Sequence, residues 1–318
     1  MKRTSVLFFI LIVCSFSSKA QKRDSSIYTY SGQLVNLQEH RFRSTFLGNL
    51  QGMEKESYQG LDIFGDYIVS CQNTGIATIY KMDSKQFIRL QGPFHLASYH
   101  HNNHSNVASF GTTFFAPNDP LPLLYISQCH REPINGLKDV LYVERFAKDL
   151  KSSTLVQTIY FKDIHHLFGY ALQWVIDRDN GYLYGYGNTI DNENPLNRHR
   201  IVKFRIPTLD ESTDGLVTLN DNDILENYLI EDTYARPFNP IGQGLCIKNG
   251  CLYMPTGIGN KKSPSILYIW NLETRHMQNI VDLTKATTTE LEDCAVYQGD
   301  LIVQAQKGLF RLSFKGNE

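Results

Sequence analysis

Short runs of alternating apolar and polar residues dominate the chain, and no segment sustains the 3.6-residue period of an amphipathic helix. Five stretches resemble one another: "YQGLDIFGDYIVSCQ" from Tyr58, "HSNVASFG" from His104 leading to "PLLYISQCH", "LQWVIDRDNGYLYGYG" from Leu172, "GQGLCIKNGCLYMPTG" from Gly242 and "LEDCAVYQGDLIVQAQ" from Leu291. Each opens on a polar residue, runs into an apolar strand, turns and resumes as a second strand. The turns fall at Gly65-Asp66, Asn180-Gly181, Asn249-Gly250 and Gln298-Gly299, and Asn-Gly suits a tight hairpin because both residues tolerate positive φ. In the second stretch the insertion "TTFFAPNDPL" replaces the turn.

Third strands are expected at Ile76, Val140, Arg200, Ile266 and Gly308, and fourth strands at Phe87, Thr154, Asn227 and Asn279. The fifth unit has no fourth strand of its own, and "SIYTYSGQLV" from Ser26 is expected to complete it. Four-stranded units repeated about an axis and closed by the N-terminal strand predict an all-β fold, a single β-propeller. Gln59, Asn106, Gln173, Gln243 and Glu292 mark the units at steps of 47, 67, 70 and 49 residues. Five blades result, with six as the alternative if the long third step hides another unit.

The ends and the composition refine this reading. Lys2-Arg3, the apolar run Val6 to Val13 and Ser18-Lys19-Ala20 have the layout of a secretory signal peptide, so residues 1–20 are expected to be a signal and 21–318 the propeller domain. Cys14 offers a lipoprotein alternative, against which stands the bulky Val13 before it. The expected destination is the periplasm or the extracellular space. No later apolar run reaches the ~20 residues of a membrane helix. A formal net charge of −1 without a basic run argues against nucleic acid as partner. Six cysteines without a CxxC pair, five of them outside the signal, argue against a disulfide scaffold or a zinc cluster.

In a propeller the first strand of each blade lines the central channel, and its opening residues surround one mouth. Those residues are Gln59, Asn106, Gln173, Gln243 and Glu292, with Asp293 beside the last: four amides and one or two carboxylates, able to exchange hydrogen bonds with a ligand while bringing little charge. "SYHHNNHSNVASFG" at 98–111 adds His104, which strand alternation would place on the face of Asn106, leaving His101, Asn103 and Ser105 pointing elsewhere. His104 and Glu292 supply two of the three or four ligands that zinc wants, so no metal site is assigned unless a loop histidine such as His165 or His166 joins them. His104 as a general base oriented by Glu292 is the catalytic reading. The two carboxylates of glycoside hydrolysis are missing from the five openings, and neither a GxSxG nor a phosphate-binding glycine loop occurs.

The long stretches from Gly187, near Tyr182, Tyr184 and Tyr186, and from Pro207 are candidate recognition loops. Phrases such as "IATIYKMDSKQFIRL" and "ILYIWNLETRHMQNIV" resemble secreted bacterial β-propellers of the YVTN or six-bladed type, a likeness that implies a fold and no particular activity. A narrower likeness, through Gln59-Gly60-Leu61, Gln243-Gly244-Leu245 and Leu291-Glu292-Asp293, is to five-bladed glutaminyl cyclotransferases. It implies cyclisation of an N-terminal glutamine with Glu292 shuttling the proton, although most other signature segments of that family are absent. The expectation drawn is an exported propeller that binds a glycan, a peptide or a cell-surface protein at its channel mouth. The alternative is an enzyme using the His104/Glu292 pair, as a glutaminyl cyclotransferase-like acyl transferase or a metal-assisted hydrolase or lyase. No cofactor is assigned.

Overall fold

The computed structural model describes residues 27–30, 33–36, 42–83, 86–230, 241–261 and 263–314. The expected signal peptide and Cys14 lie outside these residues. Apart from two short 3-10 turns, Leu209–Glu211 and Asp221–Asp223, the regular structure of the described residues is all β. Besides the pair formed by Ile27–Tyr30 and Gln33–Asn36, it forms five sheets in sequence order, each one blade of a β-propeller whose four blade strands pair antiparallel.

Blade 1 runs Tyr58–Phe64, Tyr67–Gln72, Ile76–Met82 and Phe87–His95, from the channel outward. Blade 2 uses Val107–Phe110, Leu124–Ser127, Leu141–Phe146 and Ser153–Phe161. Blade 3 uses Leu172–Asp177, Tyr182–Asn188, His199–Arg205 and Glu226–Leu229. Blade 4 uses Cys246–Lys248, Cys251–Thr256, Ile266–Asn271 and His276–Asp282. Blade 5 combines Leu291–Tyr297, Asp300–Ala305 and Gly308–Phe314 with Phe42–Asn49.

The ring is closed from the N-terminal side, but by a different strand from the one expected. Phe42–Asn49 pairs antiparallel with Gly308–Phe314, whereas Ile27–Tyr30 and Gln33–Asn36, within the expected segment, pair with each other. The closing strand lies at a blade's outer edge, where Arg43, Ser44, Thr45 and Phe46 are all exposed, so its sequence carries no apolar alternation to announce it.

The connection from Pro207, expected as a recognition loop, is partly structural. Its segment Leu216–Leu219 pairs in parallel with Ser153–Phe161 and adds a fifth strand to blade 2. That crossing of one blade's loop to its neighbour accounts for the long Gln173-to-Gln243 step without a sixth blade.

There is no central core. Apolar side chains are buried in five clusters, each shared by two adjacent blades: Val69, Ile79, Phe110 and Ile126 between blades 1 and 2, for instance, and Leu61, Ile68, Ala295 and Ile302 between blades 5 and 1. Inner strands are covered on both faces, which is why their sequences read as near-continuous apolar runs. Asn249 and Gly250 turn with φ of 52° and 70°, as a tight hairpin requires. Of the two Asn-Gly hairpin turns expected, the other has positive φ only at Gly181, and there Asn180 reaches Asp177 with both side chain and backbone.

Candidate functional site

The channel has a packed interior and a polar entrance, and the two are built from neighbouring residues. The Gln-Gly-Leu phrases of blades 1 and 4 serve the interior packing. Gly60 N donates to Ser105 O of blade 2 at 2.9 Å, and Gly244 N to Glu292 O of blade 5 at 2.5 Å. A Cβ at Gly60 would lie 2.6 Å from Ala108 N, and one at Gly244 would lie 2.1 Å from Asp293 Oδ1. Glycine is needed there because the next blade's innermost strand comes that close.

Two carboxylates stitch the innermost strands together. Asp293 is fully buried and accepts from Leu61 N at 2.7 Å and from its neighbour Cys294 N at 2.8 Å, tying blade 5 to blade 1. Asp62 repeats the device one blade on, accepting from Phe110 N at 2.6 Å and Ile63 N at 2.7 Å. Arg178 reaches across from blade 3, pairing with Asp62 Oδ1 at 3.2 Å and donating to Ile63 O at 2.9 Å. Burial pushes both aspartates up, and the main-chain donors pull the other way, joined at Asp62 by Arg178. The void beside this pair has a volume of about 10 Å³, room for a water at most, and residues of all five blades line it: Asp62, Ser109, Ile176, Cys246 and Val296 among them. Cys246 and Cys294 lie 3.5 Å apart there as free thiols, within the packing as expected.

Gln59 and Glu292 stand at the entrance, and both sit where the strand register shifts, between Tyr58 and Leu61 and between Leu291 and Asp293. A bulge of this kind re-aims a side chain. Here it separates Glu292 from Asp293, which then serve opposite purposes. Gln59 Nε2 donates to Glu292 Oε2 over a long 3.5 Å, and Gln243 Nε2 donates to Glu290 Oε1 at 2.7 Å. Glu290 and Glu292 border one cavity of about 210 Å³ together with Ser57, Tyr58, Gln306 and Lys307. Glu292 is 4% exposed, and its burial, with the charges of Glu290 and Asp293 close by, pushes its carboxyl up to about 9. At neutral pH it is a carboxylic acid.

Glu290 was invisible to a survey of strand openings because it lies one residue before the innermost strand of blade 5 begins. The reading that the five openings lack a carboxylate pair concerns the openings alone, and Glu290, outside them, borders the same space as Glu292. The sequence signal was Glu290-Leu291-Glu292, an acidic pair at period two.

The other predicted residues gather between blades 2 and 3. His104, Asn106 and Gln173 carry buried polar atoms without partners: His104 Nδ1, Asn106 Oδ1 and Gln173 Oε1. His104 and Gln173 both bond Cys129, the first at its backbone and the second at its thiol. No hydrogen bond or ion pair joins His104 to Glu292. Burial and the nearby Arg131 push the His104 ring down to about 3, so it stays neutral at ordinary pH.

The polar phrase "HHNNHSN" is a loop. The innermost strand of blade 2 starts only at Val107, and Ser105 has φ of 51°, so the strand alternation assumed for His104 to Asn106 does not hold. Asn103 organises the loop, donating to Ser98 O and accepting from Ser105 N and Oγ. Ser105, expected to face the neighbouring blade or the loop, is fully buried, with its hydroxyl on Asn103 of the loop.

Of the tyrosines near the Gly187 stretch, Tyr182 and Tyr184 border a cleft of about 430 Å³ between blades 3 and 4, with Lys203, Glu226 and Arg275. Glu226 pairs there with both cations, at 2.9 and 3.0 Å. Tyr186 is buried inside.

No family model matches the chain, and no curated protein does. Among solved structures, the chain is similar to the tail fibre of Staphylococcus aureus phage P68, with a TM-score of 0.50 and 12% identity over 89% of this chain and 54% of that one. It is also similar to the glutaminyl cyclase of Myxococcus xanthus, with a TM-score of 0.49 and 13% identity over 85% and 96% of the two chains. A glucose dehydrogenase aligns at 0.46 and 12% over 85% and 99%. Proteins of such different kinds on one architecture are similar to this chain in fold alone.

Proposed function

We propose that this protein is an exported propeller that binds the end group of a glycan or peptide, free or on a cell-surface partner, at the mouth of its channel. The observation that carries this reading is the cavity at Glu292. It is bordered by a polar residue of the predicted ring whose carboxyl has one long bond inside the protein, while the carboxylates of the interior beyond it, Asp62 and Asp293, are held by main-chain donors. Its volume is below the ~300 Å³ at which sites begin to enclose whole drug-sized ligands, which suits one end of a longer ligand. The N-terminal sequence supports export, and the near-neutral charge supports an uncharged partner.

An enzymatic reading has one observation in its favour, the protonated state of Glu292, which could serve as a general acid. Its other half is weaker, since His104 has no bond to Glu292 and is held neutral. A cyclotransferase-like acyl transfer or a metal-assisted reaction would therefore rest on Glu292 and its neighbours.

Thermal melting of the mature protein against neutral glycans and short peptides tests the binding reading, since a ligand of the folded state raises its stability. A shift lost in Glu292→Ala is the expected result. A shift that survives Glu292→Ala but vanishes in His104→Ala would move the site to blades 2 and 3. Product formation by the wild type, lost in Glu292→Gln, would establish the enzymatic reading instead.

A further inference from the structure

Glu290 and Glu292 lie two residues apart and border the same small cavity, each with one oxygen tethered by a glutamine from another blade. The remaining oxygens, Glu290 Oε2 and Glu292 Oε1, make no hydrogen bond among the described residues. Two carboxyl groups at one desolvated space do not both ionise readily. Glu292 is the deeper of the two and keeps the proton. Because its Oε2 already accepts from Gln59, that proton belongs on Oε1. The cavity thus presents an O–H donor and a carboxylate acceptor side by side, each already oriented.

We propose, building on the reading that the mouth binds a ligand, that the cavity recognises an uncharged end group with an acceptor beside a donor, a carboxamide or a pair of vicinal hydroxyls, Glu292 Oε1 donating to it and Glu290 Oε2 accepting from it. A carboxylate end would meet Glu290 with like charge. An ammonium end would face Lys307 on the same wall. The titratable groups around Glu292 are Glu290 and Asp293 from its own strand and its approach, Tyr58 from blade 1 and Lys307 from the turn before the third strand of blade 5. Asp62 acts one step further off, through Asp293. Burial pushes the Tyr58 hydroxyl further up from its ordinary value, away from the range in which Glu292 ionises, and the Glu292→Gln variant shows whether a loss of binding near pH 9 belongs to Glu292.

The test is isothermal titration of the mature protein between pH 6 and 10 with three probes: N-acetylglycylglycinamide, cellobiose and, as charged comparator, N-acetylglycylglycine. At least one neutral probe is expected to bind at pH 7 and to weaken about tenfold per pH unit once Glu292 ionises. Glu292→Gln, whose amide N–H replaces the acid O–H, is expected to bind and to lose that high-pH decline, and Glu292→Ala to bind at least tenfold more weakly. The two neutral probes separate a peptide end from a sugar. A pH-independent wild type, or a Glu292→Gln variant as weak as Glu292→Ala, overturns the donor assignment while leaving the mouth as a binding site. Preference for N-acetylglycylglycine, or silence from all three probes, overturns the ligand class. Binding unchanged in Glu292→Ala overturns the mouth itself.

Discussion

Glu292 and Asp293 are consecutive on the innermost strand of blade 5, yet their surroundings differ in nearly every respect. Asp293 spends its carboxyl on two main-chain N–H groups, one of them in the next blade, and has no contact with solvent. Glu292 has a single long bond to a glutamine and borders open space. Both are shifted upward by burial, but one is part of the scaffold and the other is held in readiness above it. The register shift between Leu291 and Asp293 makes this division possible, since in a regular strand neighbouring side chains would simply alternate between two packed blades. The lesson is that a buried carboxyl's partners, and not its burial, separate the one that holds strands together from the one that borders the cavity.

If that division is right, substitutions at the two residues should have opposite consequences for stability. The largest effect is expected at Asp293→Ala, which leaves Leu61 N–H unpaired between blades and opens a void. Urea unfolding should show a loss of about 3 kcal/mol or more, and a loss below about 1 kcal/mol would remove the stitch from the scaffold. Gly244→Ala comes next. Its new Cβ meets Asp293, and about 1–3 kcal/mol should be lost by the same measurement.

Glu292→Gln should stabilise. The unfolded chain releases this proton near pH 4.5 and the folded protein keeps it to about 9, so the native carboxyl erodes stability progressively as pH rises between those values. The variant should melt about 2–4 °C higher at pH 8 and show little gain at pH 5. A gain that is instead larger at pH 5 would reverse the assigned protonation.

The smallest effect at neutral pH is expected from His104→Asn. The folded ring stays neutral down to about 3 while the unfolded one takes a proton near 6.5, so this histidine destabilises the fold only as pH falls below about 6.5. Melting curves from pH 7 to 4 should fall less steeply in the variant, and identical slopes would place His104 in water.

Much of the architecture was legible because inner strands and their turns are written in apolar runs and Gly-containing dipeptides. Leu61, Ile68, Trp174 and Leu252 announce themselves by composition. What was not legible depends on geometry that composition does not encode. The closing strand Phe42–Asn49 has an exposed edge, so its pairing is carried by the main chain. The alternation assumed across His104, Ser105 and Asn106 fails because Ser105 adopts a left-handed conformation that its sequence did not demand. Gln59 and Glu292 were found as strand openings, but that a blade 1 amide would meet a blade 5 carboxyl required the closed ring. Glu290 is not legible as a strand opening because it stands one residue before the strand, which starts at Leu291.

The pairing of Phe42–Asn49 with Gly308–Phe314 also sets an order of events. The first of these strands is made early and its partner some 260 residues later, so the ring stays open until nearly the whole propeller has been translated. Until then blade 5 has no outer edge, and the cluster it shares with blade 1 is incomplete. Folding that waits on so distant a contact is slow. The strand Phe42–Asn49, though made early, cannot lock in place before the last blade arrives.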